Sequence, residues 1–322
     1  MKKKHLISFS YALGIPIAVI LIGLFLPNKP IKNSIHYSIL DKNELLTNTP
    51  DPRIILVGGS NLCFGINSAE IEKQTGYHVV NASIQGSYGL RFDINHIMEY
   101  IRENDIIIVS PEYRNFYGNS LNGDKVLLYV LFDSYPEAKK YISISQWIHM
   151  SQFFPKYAVE KINSLFKYYL MKQTYNPNNI VYMRNSFNKH GDAVAHWDLK
   201  PTPFGSYKSP RGDFNNESID LIKDLEDECM KKNASLFMTF PGLQVKSYDN
   251  MQTKIDLAHQ KLQENNFKLL GNPKRYKVDD SLLFNTAYHL NKKGVDIRTD
   301  LLIEDLIKNG IKLQSNTSNI TE

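Results

Sequence analysis

Cysteine is scarce in this chain, since only Cys63 and Cys229 occur among 322 residues. Two cysteines cannot form a disulfide framework, although one bridge between them remains open from sequence alone. An excess of basic residues is also missing, because 38 Lys and Arg are set against 33 Asp and Glu, with the two signs mixed along the chain. The charge pattern argues against nucleic-acid binding.

Two common ligand signatures are missing as well. The turn Gly58-Gly59-Ser60-Asn61 lacks the G-x-G-x-x-G spacing of a dinucleotide site, and no acidic residue closes the next apolar run. A cluster of potential metal ligands has a loop-like sequence without a known ligand pattern: His190, Asp192, His196 and Asp198. The sequence therefore predicts neither a cofactor nor a metal.

Charge is absent from the long run Leu6–Leu26. At about 1.5 Å per residue, a helix of this length crosses a hydrocarbon layer of about 30 Å. Three lysines precede the run, and no small-residue cleavage site follows it. Residues 1–26 are therefore predicted to be a cytoplasmic tip and an uncleaved signal anchor, which places the rest of a single-pass protein outside the cytoplasm. The proline-rich residues 27–52 predict a tether with little packed structure.

The remaining chain alternates short apolar runs with helical patterns. Unalternating apolar runs, which are typical of strands buried on both faces, occur at Ile54–Val57, Tyr77–Val80, Ile106–Val109, Leu236–Phe240 and Phe267–Leu270. Apolar residues at helical spacing occur at Leu90–Arg102, Ser218–Met230, Met251–Leu262 and Asn291–Asn309. This order predicts an α/β fold with a parallel sheet and helices on both sides.

One domain is predicted over residues 53–310. Within it, residues 115–210 interrupt the alternation, are rich in Tyr and Phe, and contain both tryptophans, Trp147 and Trp197. We interpret this segment as an insertion over the face where the strands end. Residues 311–322 are predicted to be a flexible tail.

A serine and a histidine are the strongest chemical signals. Ser60 follows the first predicted strand, where a turn into a helix would present its hydroxyl beside free backbone amides. His289 precedes the last predicted helix. A serine in such a turn and a histidine late in the chain are two of the three members of a hydrolytic triad. Gly86, after the second predicted strand, offers a further amide to the same anion.

With these three residues the chain resembles the SGNH/GDSL hydrolases, a family of lipases and esterases with a flavodoxin-like three-layer α/β/α fold. The resemblance covers residues 53–104 and 282–303 well and the middle poorly. Three motifs are similar to those of membrane-anchored relatives associated with bacterial surface polysaccharides: Pro111–Tyr113 (P-E-Y), Phe187–Asp192 (F-N-K-H-G-D) and Tyr288–Gly294 (Y-H-L-N-K-K-G). The resemblance implies that Ser60 is the nucleophile, that the Ser60 and Gly86 amides form the oxyanion hole, and that His289 is the base.

The chain departs from the family at two positions. The family's third block supplies an asparagine that stabilises the oxyanion, whereas this chain has Ser110-Pro111-Glu112-Tyr113-Arg114. The family's acid lies three or four residues before the histidine, where this chain has Thr286 and Asn285. An amide orients an imidazole but does not balance its charge. Asn285 is therefore the candidate at the acid position, and Glu112, with Asp279 or Asp280 as further options, is the alternative acid.

The resemblance implies a serine esterase or O-acyltransferase that acts on an acylated, by expectation acetylated, glycan or small molecule at the cell surface. Candidate substrate-binding residues are Asn61, Tyr113, Arg114 and Trp197. The resemblance also implies a membrane-embedded acyltransferase as a partner. The alternative is a catalytically impaired protein that binds glycan or helps to assemble a polysaccharide pathway.

Overall fold

The computed structural model describes residues 2–28, 32–171 and 180–312, with side chains from residue 14 onward. The side chains of the three N-terminal lysines and residues 313–322 of the predicted tail lie outside this description. The first residues of that tail lie inside it, and Ile311 is buried.

The fold is mixed α/β and has a parallel central sheet. Its strands are β1 (Arg53–Gly58), β2 (His78–Asn81), β3 (Ile106–Ser110) and β4 (Ser235–Met238), in the order β2-β1-β3-β4. Every neighbouring pair is parallel. The first four predicted strands are thus confirmed.

Helices pack on both faces of this sheet. The α-helices α1 to α11 are, in order, Lys2–Phe25, Ser38–Asn48, Ser60–Cys63, Ser68–Thr75, Leu90–Ile97, Leu127–Tyr129, Ile144–Ser151, Phe154–Leu170, Glu217–Lys231, Val245–Glu264 and Lys292–Lys308. Side chains from α5, α9 and α10 cover one face of the sheet, whereas side chains from α4 and α11 cover the other. Because β1 and β3 are covered on both sides, their central residues, Ile54–Val57 and Ile106–Val109, are apolar without alternation.

Two predictions about elements are wrong. Phe267–Leu270 forms no strand and makes only a bridge between Leu269 and Met238, because the chain meets the sheet edge for too short a distance to continue the ladder. Residues 27–52 contain the helix α2, which buries Ile39 and Leu46 against the domain. Prolines flank that helix without interrupting it, so its apolar residues can pack.

In its described part, the region predicted as an insertion carries the helices α6 to α8. The last turn of α1 packs against α8 so closely that a Cβ on Gly23 would lie 2.5 Å from the Cβ of Ala158. Beneath this contact Lys161 pairs with Asp133 at 2.6 Å, with both side chains fully buried. In the part of the chain that the structure describes, no helix is both long enough and apolar enough to cross a bilayer.

Four short strands complete the fold: β5 (Leu243–Gln244), β6 (Lys277–Val278), β7 (Leu283–Thr286) and β8 (His289–Leu290). The antiparallel pair β7–β8 precedes α11. The Asn291 side chain accepts a hydrogen bond of 3.0 Å from the Gly294 amide and caps that helix. At its other end Gly310 has a φ of +77°, a conformation that favours glycine, so both predicted ends are confirmed.

Candidate active site

Ser60 is the first residue of α3 and directly follows the tight turn at Gly59 that leaves β1. A Cβ on Gly58 would lie 2.6 Å from the Ser110 carbonyl oxygen, and one on Gly59 would lie 2.6 Å from the Gly86 Cα. Both positions therefore need glycine because the neighbouring backbone comes too close for a side chain. The turn brings the carboxyl ends of β1 and β3 and the segment after β2 together around Ser60.

Asn61 and Arg298 hold this turn from behind. The Asn61 side chain donates through Nδ2 to the Ser110 carbonyl at 3.0 Å, and its Oδ1 accepts from the Ser110 hydroxyl at 3.1 Å. Arg298 donates to the Asn61 carbonyl, and burial lowers the pKa of its guanidinium to about 10. Asn61 is fully buried, so its side chain supports the turn from the interior of the domain.

The Ser60 hydroxyl donates a hydrogen bond of 3.2 Å to Oε1 of Glu112. Glu112 follows β3, and its other oxygen lies 3.2 Å from Nε of Arg114. Arg114 in turn donates through Nη2 to the Ser87 hydroxyl at 3.0 Å. Burial lowers the pKa of Arg114, but Glu112 and Asp124 outweigh that effect and raise it above its usual value. The result is a continuous polar path from Ser60 to Ser87.

The Glu112 carboxyl group packs directly on Gly86. A Cβ at position 86 would come within 2.4 Å of the Glu112 carboxyl carbon. Within the described part of the chain, the amides of Ser60 and Gly86 donate no hydrogen bond, so both remain available to an incoming ligand. A carboxylate thus lies beside the two amides that the sequence predicts as oxyanion donors. An anion formed there would be close to a second negative charge.

Asn285 occupies the position that the sequence predicts beside His289. Its Oδ1 lies 2.9 Å from Nδ1 of His289, and its Nδ2 donates to the Tyr182 hydroxyl at 2.8 Å. The amide oxygen only accepts, so this network assigns the proton of the neutral imidazole to Nδ1. Nε2 has no hydrogen-bond partner among the described residues and keeps its lone pair. His289 also stacks on Phe64, with ring centroids 4.3 Å apart.

Burial is the main influence on the pKa of His289. Desolvation, with a smaller contribution from His196, lowers that pKa to about 3. The imidazole is therefore neutral at physiological pH, and its charged form is strongly disfavoured. Asn285 adds no negative charge that would offset this effect.

The candidate groups line one cavity of about 780 Å³, at the carboxyl ends of the central strands. Its walls include Ser60, Gly86, Glu112 and His289, together with Gln85, Ser87, Arg114, Ser120, Tyr182, Ser206, Tyr207, Lys208, Pro210, Arg211, Met251, Thr286 and Tyr288. Ser60 and His289 face the same space, but no hydrogen bond joins these two described residues. The sequence analysis gave Glu112 as the alternative acid that would support His289. In the structure Glu112 contacts Ser60 instead.

Of the four candidate substrate-binding residues, Arg114 lines this cavity. Asn61 lies behind the turn, and Tyr113 is buried in the apolar core. Trp197 packs on a smaller apolar cluster with Nζ of Lys292 at 4.8 Å from its ring centroid. These three side chains therefore take part in packing on this face of the domain.

Sequence reasoning missed the cavity residues contributed by the irregular segments. Tyr182 belongs to the aromatic region, while Tyr207, Lys208 and Arg211 lie on a stretch without helix or strand. No periodicity or motif marks these residues. The only signal was the length of the interruption itself, which predicted a covering over this face.

The F-N-K-H-G-D motif has a structural explanation. Asp192 is fully buried and accepts hydrogen bonds from the Ser68 amide at 2.8 Å and from Asn81 at 2.9 Å. Lys42 donates to the carbonyls of Asn81 and Gly191 at 2.7 and 2.6 Å. The motif thus ties α2, α4 and the end of β2 together.

Neither a metal centre nor a disulfide is found in the ranges that the structure describes. Within them, no group of three or more His, Cys, Asp or Glu is arranged to hold a metal ion. Cys63 and Cys229 are both free and buried. Burial raises the pKa of each thiol to about 12, so neither is a ready nucleophile.

No protein-family model matches the chain, and a search of the curated proteins found no similar sequence. The chemistry of the site therefore rests on its own geometry. A serine hydroxyl with a carboxylate acceptor, two free amides and a neutral imidazole in one cavity can support acyl transfer.

Proposed function

We propose that this protein is a serine esterase or O-acyltransferase that acts on an acylated cell-surface glycan. The observation that carries the proposal is the hydrogen bond from Ser60 to Glu112 in a cavity that also contains Gly86 and His289. A serine hydroxyl needs a base at hydrogen-bond distance to become a nucleophile. The carboxylate of Glu112 meets that condition.

In the first half of the proposed reaction, Oγ of Ser60 bonds to the acyl carbon while its proton passes to Oε1 of Glu112. This transfer neutralises Glu112, so the tetrahedral oxyanion at the Ser60 and Gly86 amides no longer faces a second negative charge. The bond between the acyl carbon and the donor oxygen then breaks. The Glu112 proton moves to that oxygen, and the released alcohol leaves an acyl-serine.

In the second half, a water molecule or a sugar hydroxyl attacks the acyl-serine. Its proton passes to Nε2 of His289, whose Nδ1 is held by Asn285. The bond from the acyl carbon to Ser60 breaks, and the proton returns to the serine oxygen. Water as the acceptor gives ester hydrolysis, whereas a sugar hydroxyl gives acyl transfer.

Several wider features belong to the same proposal. The parallel sheet with helices on both faces is consistent with the flavodoxin-like fold of the SGNH hydrolases. The uncharged run at the N-terminus supports a signal anchor and an extracytoplasmic domain. The apolar side chains exposed on α1, including Ile15, Ile17 and Phe25, are compatible with lipid contact. A surface glycan and a membrane-embedded acyltransferase partner follow from the motif resemblance.

Covalent labelling tests the enzyme proposal. The full-length protein in detergent micelles would be treated with a fluorophosphonate probe, and the labelled peptide would be identified by mass spectrometry. We expect labelling at Ser60 and its loss in S60A. The matched control is S206A, which removes a different serine from the same cavity wall. No labelling of the wild-type protein, in a folded sample, would count against a nucleophilic Ser60.

One observation favours a second function, the binding of glycan without catalysis. Glu112 rests its carboxyl group against Gly86, beside the donors that an oxyanion would need. If that carboxylate never takes the Ser60 proton, its charge opposes the reaction. An unlabelled protein that still binds glycan would support this binding function.

A further inference from the structure

Part of the cavity wall is formed by a segment without helix or strand, residues 200–213, which we call the strap. Several hydrogen bonds fix the strap to the domain. Lys254 on α10 donates to the carbonyls of Pro210 and Gly212 at 2.6 Å each. The Tyr207 amide donates to the Ser247 hydroxyl at 2.8 Å. The strap therefore presents its side chains to the cavity from defined positions.

The strap makes the cavity cationic. It contributes Lys208 and Arg211 to the lining, and Arg114 lies on the same cavity wall as Glu112. Among the described residues that line the first cavity, Glu112 is the only carboxylate, and Arg114 already pairs with it at 3.2 Å. Lys208 and Arg211 make no salt bridge with any carboxylate in the described ranges. Among the described residues, the first cavity thus holds two positive charges that have no salt-bridge partner.

A second cavity of about 370 Å³ continues from the first. The two share Ser87, Arg114, Ser120 and Arg211 in their walls, so both arginines lie where the cavities meet. The second cavity adds one carboxylate, Asp124, so the three cations Arg114, Lys208 and Arg211 outnumber the acids Glu112 and Asp124 along the described lining. Together the cavities form one cleft that begins at Ser60 and extends past the arginines. A cleft of this form fits a chain-like ligand with charged substituents better than a small neutral ester.

The cleft also offers aromatic surface. Tyr207 on the strap lines the first cavity and keeps 41% of its surface exposed. An exposed tyrosine ring supplies the flat apolar face on which a sugar can stack. Arginine, in turn, recognises carboxylate and phosphate through paired donors. The same cleft therefore combines a group suited to sugars with groups suited to anions.

We propose that the cleft binds an anionic saccharide, one whose rings carry carboxylate or phosphate groups, and that Lys208 and Arg211 hold the anion beside Ser60. The inference rests on the proposed function in assigning the acyl group of this saccharide to Ser60. Charge recognition itself depends only on the strap and the shape of the cleft. It would persist in a protein that binds without catalysis.

Binding measurements with matched ligands test the inference. Isothermal titration of the full-length protein in detergent would compare oligogalacturonate with its neutral methyl ester, and a phosphorylated mannan oligosaccharide with unphosphorylated mannan. We expect tighter binding of at least one anionic member of these pairs, with an advantage that falls as salt rises. If the galacturonate pair shows the difference in affinity, the preferred anion is a carboxylate. If the mannan pair shows it, the preferred anion is a phosphate. Equal affinity within both pairs would overturn the proposal.

Matched variants locate the effect. The double variant K208Q/R211Q is expected to lose about 10-fold or more in affinity for the preferred anion, with little change for its neutral partner. The control K200Q removes a cation from the same strap, but position 200 lines neither cavity of the cleft. Similar losses in K200Q and in the double variant would show that the charge effect is not specific to the cleft.

The S60A variant separates the two proposals. It removes the nucleophile but leaves the strap intact, so the charge preference should persist in it. A charge preference without fluorophosphonate labelling of the wild-type protein would contradict the enzyme proposal and leave this inference standing. Labelling of Ser60 without any charge preference would support the enzyme proposal and contradict this inference.

Discussion

The Ser60 hydroxyl points to Oε1 of Glu112, 3.2 Å away. This pairing replaces the serine–histidine contact that the sequence led us to expect. It also places a carboxylate against Gly86, whose backbone amide the sequence predicts as an oxyanion donor. The chemistry of the site therefore depends on where the Ser60 proton goes.

Replacing Glu112 with Gln tests that route directly. Gln keeps the size of the side chain and a hydrogen-bond acceptor, but it does not take a proton. We expect E112Q to lose about 100- to 10,000-fold in the rate of acyl-serine formation, the usual contribution of a general base. The measurement is the pre-steady-state burst with p-nitrophenyl acetate. A faster burst would mean that the negative charge of Glu112 obstructs the reaction and that another base serves Ser60.

Replacing Asn285 with Asp should raise the rate of deacylation. A carboxylate beside Nδ1 would stabilise the charged imidazole and so raise the pKa of His289 from about 3. We expect ester hydrolysis to increase by a factor on the order of 10 to 1,000, because the corresponding Asp-to-Asn change in a triad costs about 10,000-fold. Nuclear magnetic resonance of the imidazole would report the pKa independently. A raised pKa with an unchanged rate of deacylation, measured on the preformed acyl-serine, would remove His289 from the mechanism.

Gly86 should tolerate no side chain. In G86A the new methyl group would come within 2.4 Å of the Glu112 carboxyl carbon, so that carboxyl must move away from Ser60. We expect labelling at Ser60 to fall at least 10-fold because the serine loses its acceptor. The matched control is G205A, since a Cβ at Gly205 would meet no atom within 4 Å. Retention of full labelling in G86A would show that the Ser60–Glu112 contact is dispensable.

Stability should fall as the medium becomes acidic. Burial lowers the pKa of His96 to about 4, below the ordinary value of 6.5, so His96 is neutral in the folded protein at neutral pH. Between these two values the unfolded chain binds more protons than the folded protein. The stabilisation is therefore complete above about pH 6.5 and is lost as the pH falls towards about 4.

The variant H96Q isolates this contribution from other titrating groups. It should flatten the dependence of the free energy of unfolding on pH by up to about 1.4 kcal/mol per pH unit within that window. Chemical denaturation of both proteins at pH 7.5, 6 and 5 provides the comparison. Parallel curves for wild type and variant would contradict a neutral, buried His96.

The buried pair of Lys161 and Asp133 should matter far more than a surface pair. In K161M the Asp133 carboxylate loses its cation at 2.6 Å while it remains buried, and we expect a loss of about 3–5 kcal/mol in the free energy of unfolding. Adding D133N should recover most of that loss. K277M, which breaks the exposed pair with Asp249, should cost about 1 kcal/mol or less. Equal costs for the two lysine variants would contradict this assignment.

The sequence by itself determined the features that depend on near neighbours. The glycines before Ser60, the Asn291 cap and the Gly310 stop are local requirements of turns and helix ends, so the residue types reveal them. Asn285 reaches His289 because four positions separate them across the short β7–β8 pair. The unbroken apolar runs of the first strands likewise identify a doubly covered sheet.

Tertiary structure decided the partner of Ser60 and the charge of the cleft. Glu112 lies 52 positions from Ser60 and reaches it only because β1 and β3 are adjacent in the sheet. Lys208 and Arg211 line the cavity because Lys254 anchors the strap. The strap has no helix or strand, so no periodicity in the sequence predicts its position. Long-range packing brings these groups together. A local sequence pattern does not indicate which distant segments will be in contact.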